Sequence, residues 1–134
     1  MKRGRLRMVL VVAWIVGAGG MLTGQSPRNP AIDHAKHIVD LLQHEQFDDV
    51  VKEFTPSLTA AFSAAQVRDL WMAMKQQVGS FTVILDQRLE TPARGFTDVT
   101  LGCQFERAVL NATVEFDAQD KIVDLRFLRR PPPQ

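Results

Sequence analysis

The sequence predicts an α+β domain, in which three N-terminal helices pack on one face of a curved, cone-like, four-stranded antiparallel sheet. Up to Val78, apolar residues recur three or four positions apart, which is the period of an amphipathic helix. From Ser80 onward they alternate with polar residues, and β-branched and aromatic residues become frequent, as they do in strands. The connections between these strands are short, and such connections join antiparallel neighbours. The strands are therefore expected to form a meander.

Three helical segments are predicted in the first half of the domain. AIDHAKHIVDLLQH and EQFDDVVKEF each carry an apolar stripe on one helix face, formed by Ala35, Ile38, Val39 and Leu42 and by Phe47, Val50, Val51 and Phe54. The second helix is expected to end at Thr55, because a residue before proline avoids the helical conformation. The third is expected to begin at Ser63, which can form a capping box with Gln66, and to end at Gly79.

Four strands follow, and their alternation predicts which side chains face the helices. The predicted strands are FTVILDQRLE, FTDVTLGCQF, AVLNATVEF and KIVDLRFLR. The side chains expected to face the helices are Thr97, Val99, Leu101, Cys103, Phe105, Leu110, Ala112, Val114, Phe116, Val123, Leu125 and Phe127. Phe96 and Ile122 are expected on the opposite face, where an exposed apolar patch would suggest a partner.

The N-terminus has the order of a signal peptide. Basic residues at 2, 3, 5 and 7 precede an apolar run from Met8 to Val16, and cleavage is expected after Gly24 or Gln25. The run is shorter than the roughly 20 apolar residues that a membrane anchor needs. No cysteine near the cleavage site could carry a lipid, so a lipoprotein is not expected. An uncleaved signal anchor is the alternative, because Leu22 departs from the small-residue pattern.

The predicted organisation is a signal peptide over 1–25, a linker over 26–30, a single α+β domain over 31–129 and a proline-rich tail over 130–134. We expect the protein to be secreted or periplasmic, without a stable membrane anchor after cleavage. The first 25 residues hold four of the 16 basic residues and none of the 15 acidic ones, so 12 basic residues remain and the net charge becomes −3. An acidic body without a basic patch disfavours nucleic-acid binding.

Few residues in the sequence are suited to catalysis or metal binding. The only cysteine, Cys103, is expected to pack inside, because it shares a face with Val99, Leu101 and Phe105. His34, His37 and His44 are expected on the solvated face of the first helix, and no ligand pattern completes a zinc site around them. The expected solvated carboxylates are Asp86, Glu90, Asp98, Glu106, Glu115, Asp117, Asp120 and Asp124. No known catalytic motif is present, so we predict no catalytic residue, no metal and no cofactor.

A set of large side chains is expected between the third helix and the sheet, and we call it the aromatic set. It consists of Trp71, Met74, Phe105, Phe116 and Phe127. Core packing is the ordinary interpretation of such a set. Alternatively, a strongly curved sheet covered by helices can leave an apolar cavity of ligand size, and these residues would then line it.

The chain resembles the uncharacterised bacterial family called domain of unknown function 3887. The motifs that carry the resemblance are Phe47-Asp48, Leu70-Trp71, Gly79 with Phe81, and Phe116-Asp117 with Lys121-Ile122. This sequence has Gln119-Asp120 in the last turn, where the family tends to have an acidic residue and a glycine. The helices and sheet are also similar to nuclear-transport-factor-2-like and cystatin-like folds. The resemblance implies a stand-alone secreted domain or one found ahead of an alpha/beta-hydrolase, and it supplies no catalytic residues.

We expect an exported, non-catalytic binding or accessory domain, which holds a small apolar ligand or forms a homodimer through its sheet. The alternatives are a small enzyme that uses a cone-shaped pocket and an accessory subunit that acts in trans with a hydrolase partner. The absence of catalytic motifs favours the binding domain.

Overall fold

The structure, a computed structural model, describes residues 28–131, so the predicted signal peptide lies outside the described residues. The helices are α1 (Pro30–Gln43), α2 (Phe47–Val51), α3 (Pro56–Ala61) and α4 (Ala64–Val78), and the strands are β1 (Phe81–Glu90), β2 (Thr97–Phe105), β3 (Val109–Phe116) and β4 (Ile122–Arg129). The strands form an open antiparallel sheet in the order β1-β2-β3-β4. The predicted α+β class and meander are therefore confirmed. No helix between residues 28 and 131 is long and apolar enough to cross a bilayer.

The ends of the helices follow local sequence signals, and one of these signals adds a helix. The predicted capping box of Ser63 and Gln66 starts α4, and Gly79 ends that helix with a φ of +86°. The second helix was predicted to end at Thr55, but α2 already ends at Val51. Pro56 then starts α3, with the Thr55 side chain accepting a hydrogen bond from the Leu58 N–H. Proline fits the first helical position because no hydrogen bond is required of its nitrogen there. The described part of the chain therefore has four helices where three were predicted.

The core lies between the helices and one face of the sheet. α1, α2 and α4 contribute Ala35, Ile38, Leu42, Val50, Val67 and Trp71 among others, and the sheet contributes Val99, Leu101, Cys103, Phe105, Leu110, Ala112, Val114 and Phe116. The predicted inward face is therefore confirmed for the apolar residues of β2 and β3. At about 1.5 to 3 kcal/mol for each fully buried large apolar side chain, this layer is the main stabilising contribution to the fold.

The predicted face of Ile122 was wrong. Ile122 is fully buried, and it pairs with Phe116, whereas Asp124 pairs with Glu115. The register shift between these two pairs makes Val123 the extra residue of a β-bulge, which reverses the inside and outside positions at the start of β4. Leu125 and Phe127 follow the bulge and lie opposite Val114 and Ala112 on the inward face, as predicted.

The turn before β4 places a non-glycine residue in the left-handed region. Asp120 has a φ of +62°, and aspartate is one of the few residues other than glycine that adopt this conformation. The Asp117 side chain accepts hydrogen bonds from the Gln119 and Lys121 N–H groups. Asp120 therefore takes the position where the similar family tends to have a glycine, and Asp117 stabilises the turn.

Candidate functional site

Cys103 is a packing residue, as predicted. Its side chain is completely buried, and desolvation by burial raises the pKa of the thiol to about 12. Because the thiolate is the nucleophilic form, we expect Cys103 to react slowly at neutral pH.

The aromatic set is divided between two places in the core. Trp71 packs against Phe105 and Phe127, with ring centroids 5.8 Å and 6.1 Å away. Met74 is partly buried and packs against the core. Phe116 lies apart, stacked on His34 at 4.7 Å. That these residues line a ligand site stays a prediction. One observation bears on it: the Trp71 indole N–H is buried, and it finds no acceptor among the described residues.

His34 does not lie on a solvated face, so its predicted position was wrong. Its Nε2 atom lies 2.7 Å from Glu53 Oε1, and its ring covers Phe116. His34 and the exposed His37 line a cavity of about 520 Å³, together with Asp33 and Asp120. None of the residues lining this cavity is a serine, threonine, cysteine or lysine, so the cavity offers the His34–Glu53 pair no hydroxyl, thiol or amine side chain to activate.

The outward face of the sheet carries a row of four carboxylates, one from each strand. Glu90 pairs with Asp98, Asp98 with Glu115, and Glu115 with Asp124, so the four side chains are cross-strand neighbours. Burial and the charges of Asp98 and Asp124 raise the pKa of Glu115, while Arg126 opposes them. The Asp98 Oδ1 atom is buried without a hydrogen bond in the described structure. Within residues 28–131, no group of three or more histidine, cysteine, aspartate or glutamate side chains is arranged to hold a metal.

A second feature of this face is the ion pair between Asp86 and Arg130, which are 44 residues apart. The guanidinium donates to both carboxylate oxygens at 2.8 and 2.9 Å, and it also donates to the Asn111 side chain. The pair crosses directly over Gly102, where a Cβ atom would collide with both partners. The hydrogen bond from Arg130 is the largest cause that lowers the pKa of Asp86. Arg130 belongs to the predicted tail, yet this contact attaches it to the sheet.

An exposed apolar surface of the described structure lies along β1. This strand is one edge of the sheet, and Val83, Leu85 and Leu89 are 47%, 50% and 40% exposed. A groove of about 600 Å³ separates β1 from α1, whose Lys36, Val39, Asp40 and Gln43 form the other wall. We call this surface the β1 edge. Sequence periodicity assigned β1 correctly as a strand, but it gave no signal that the helices would leave this strand uncovered.

These features define a small α+β domain with a packed interior and an open sheet edge. The family model described as "Protein of unknown function (DUF3887)" matches residues 35–125, and the chain belongs to this family. The match confirms the resemblance that the sequence motifs indicated. No curated protein and no solved structure gives a significant match, so the similarity to nuclear-transport-factor-2-like and cystatin-like folds stays a prediction.

Proposed function

We propose that the protein is an exported, non-catalytic binding domain that acts through the β1 edge. The observation that carries the proposal is the exposure of this strand: eight of its ten residues are exposed, including three large apolar ones. An uncovered edge presents unpaired backbone N–H and C=O groups that another strand can bind. Export is supported by the order of basic, apolar and small residues at the N-terminus.

Two irregularities on β1 restrict where pairing can occur. Register shifts between Phe81 and Val83 and between Ile84 and Asp86 distort the first half of the strand. Such bulges hinder the regular addition of a strand. From Asp86 to Glu90 the register with β2 is regular, so this stretch is the part of the edge that can accept a partner.

The partner that fits this stretch is a second copy of the chain. Antiparallel pairing of two copies about Gln87 places Asp86 of each copy opposite Arg88 of the other, and both side chains lie on the outward face. Opposite charges in cross-strand pairs are favourable. Pairing about Arg88 would instead place the two Arg88 side chains opposite each other and Asp86 opposite Glu90, which is unfavourable. The charges on β1 therefore favour the register centred on Gln87 over the one centred on Arg88.

Sedimentation velocity over a series of protein concentrations tests this proposal on the chain from Ser26. We expect a monomer–dimer equilibrium, because a short edge contact buries less area than the roughly 1,200–2,000 Å² of a stable interface. Leu89→Lys places a charge on the edge and is expected to give a monomer. Leu128→Lys is the matched control, since Leu128 is 63% exposed on β4, the opposite edge strand.

Two further results would decide the register and the proposal itself. Arg88→Glu is expected to weaken the dimer, because it places an acidic side chain opposite Asp86 of the other copy. A wild-type protein that stays monomeric at millimolar concentration would refute the proposal. So would a Leu128→Lys variant that dissociates as readily as Leu89→Lys.

A second candidate function is the binding of a small apolar ligand beside Trp71. The buried indole N–H without a protein acceptor supports it, because buried polar groups are normally hydrogen-bonded. The ligand would carry one acceptor group for this N–H on an otherwise apolar body. Trp71 is the only tryptophan after residue 25, so its fluorescence reports directly on this region. Saturable changes in Trp71 emission with an apolar ketone, but not with the matching alkane, would support this function, and equal responses to both would contradict it.

A further inference from the structure

A surface cavity of about 520 Å³ lies where the end of β4 meets the turn between β2 and β3. Its apolar walls are Leu85, Ala108, Val109 and Pro131. Three arginines complete the lining, Arg107, Arg129 and Arg130, and no acidic residue is among the lining side chains. The cavity is therefore apolar in its walls and cationic at its rim.

The three arginines differ in how their charges are neutralised. Arg130 is paired with Asp86. Arg107 donates to the carbonyl oxygens of Gln76 and Gln77 at the end of α4, which are neutral acceptors. Arg129 has no ion pair with any carboxylate between residues 28 and 131. Two guanidinium charges consequently remain without an anionic partner in the described structure.

This arrangement contrasts with the net charge of the chain and with the ion-paired arginines on the outward face of the sheet. Beyond residue 25 the net charge is −3, because 12 basic residues face 15 acidic ones. Two arginines on the outward face have carboxylates beside them: Arg88 lies near Glu90, and Arg126 is paired with Asp124. A cluster of arginines around an apolar cavity, within an acidic protein, is suited to an anion that also has an apolar part.

We propose that this cavity binds a free, single-chain anionic amphiphile, with its carboxylate at Arg129 and its alkyl chain against Leu85, Val109 and Pro131. A guanidinium can donate two parallel hydrogen bonds to a carboxylate. The volume lies within the range of small-molecule sites, about 300–1,000 Å³. The site is separate from the Trp71 region, and its decisive residue, Arg129, is not part of the β1 edge.

Calorimetric titration of the chain from Ser26 with decanoate, below its micellar concentration, tests the proposal. We expect saturable binding to one site per chain. Arg129→Gln should weaken the affinity about tenfold, since it removes one charge-assisted hydrogen-bonding group. Arg94→Gln is the matched control: it removes the same charge from an exposed residue that does not line the cavity, and it should leave the affinity unchanged. Backbone amide shifts should map the contact to the turn between β2 and β3.

Other ligands separate the contributions of charge, alkyl chain and lipid surface. Decanol and decyltrimethylammonium should bind at least tenfold more weakly than decanoate if the guanidinium selects the carboxylate. Absence of decanoate binding at millimolar concentration would overturn the proposal, as would equal loss of affinity in Arg129→Gln and Arg94→Gln. Binding to phosphatidylglycerol vesicles but not to decanoate would also overturn it, because the ligand would then be a membrane surface.

Discussion

The β-bulge at the start of β4 gives the most direct test of the structure, because two adjacent residues exchange their expected roles. Simple alternation would place Val123 in the core and Ile122 outside. The structure buries Ile122 completely and leaves Val123 half-buried. Ile122→Ala should therefore be the more destabilising of the two substitutions.

The expected magnitudes follow from the groups that each substitution removes. Isoleucine to alanine removes three carbon groups at about 0.8 kcal/mol each, and the cavity left behind adds to this, so Ile122→Ala should cost about 3–4 kcal/mol. Valine to alanine removes two such groups from a half-buried position, so Val123→Ala should cost about 0.8 kcal/mol. Both substitutions replace a β-branched residue in the same strand, so the loss of strand propensity is matched.

Urea unfolding, followed by the fluorescence of Trp71, measures both free energies of unfolding at one protein concentration. In a domain of about 100 residues, the difference between the variants corresponds to a separation of about 10–20 °C in Tm. Equal costs, or a larger cost for Val123→Ala, would refute the bulge and restore simple alternation.

Three other predictions concern individual side chains. Glu115→Gln should raise the free energy of unfolding by about 0.5–1 kcal/mol at pH 7, because it removes a like charge from the carboxylate row. Because the pKa of Glu115 is raised, the wild-type protein is most stable below the unfolded pKa, where this carboxyl is protonated, and it loses that stability as the pH rises through the folded pKa. The stability gained by Glu115→Gln should therefore vanish near pH 3, where the wild-type carboxyl is also uncharged. Gly102→Ala should separate Asp86 from Arg130 and lower stability at neutral pH. Since the pKa of Asp86 is lowered, this stabilisation is lost as the pH falls through its folded pKa, and the variant should differ least from wild type in strong acid. Native Cys103 should react with thiol reagents at least a hundredfold more slowly than the unfolded chain, and equal rates in a labelling time course would contradict its burial.

Much of the fold could be predicted because its signals are local and periodic. The apolar stripe of α1, the capping box of α4 and the alternation of β2 and β3 are each contained in a short stretch of sequence. The bulge at Val123 could not be predicted in this way, because one extra residue leaves the alternation of the sequence intact and changes only the pairing. The short helix α3 was missed because the Thr55-Pro56 step was interpreted as the end of a helix, whereas Thr55 caps the next helix and Pro56 begins it.

The features of the candidate sites were harder to predict, because they depend on residues far apart in the chain. His34 is held by Glu53, 19 residues away, and Asp86 is held by Arg130, 44 residues away. The carboxylate row depends on the register of all four strands. The burial of Trp71 and Phe105 was predictable from their faces, whereas the exposure of β1 depends on where α1 packs, which no local pattern encodes.

The buried residue Ile122 also forms a parallel β-bridge with Phe54, and this bridge has a consequence for the order of folding. The strands of the meander pair with their neighbours in sequence, so each hairpin closes only a short loop. By contrast, the bonds from Ile122 N–H to Glu53 O and from Thr55 N–H to Ile122 O connect the end of the helical half to the last strand. Loop closure over such a separation costs more entropy, and contacts of this kind form late. We therefore expect the helical half and the sheet to gain structure first and to join at Ile122 in the last step, so that pulsed hydrogen exchange during refolding should protect the Ile122 amide after the amides of β2 and β3.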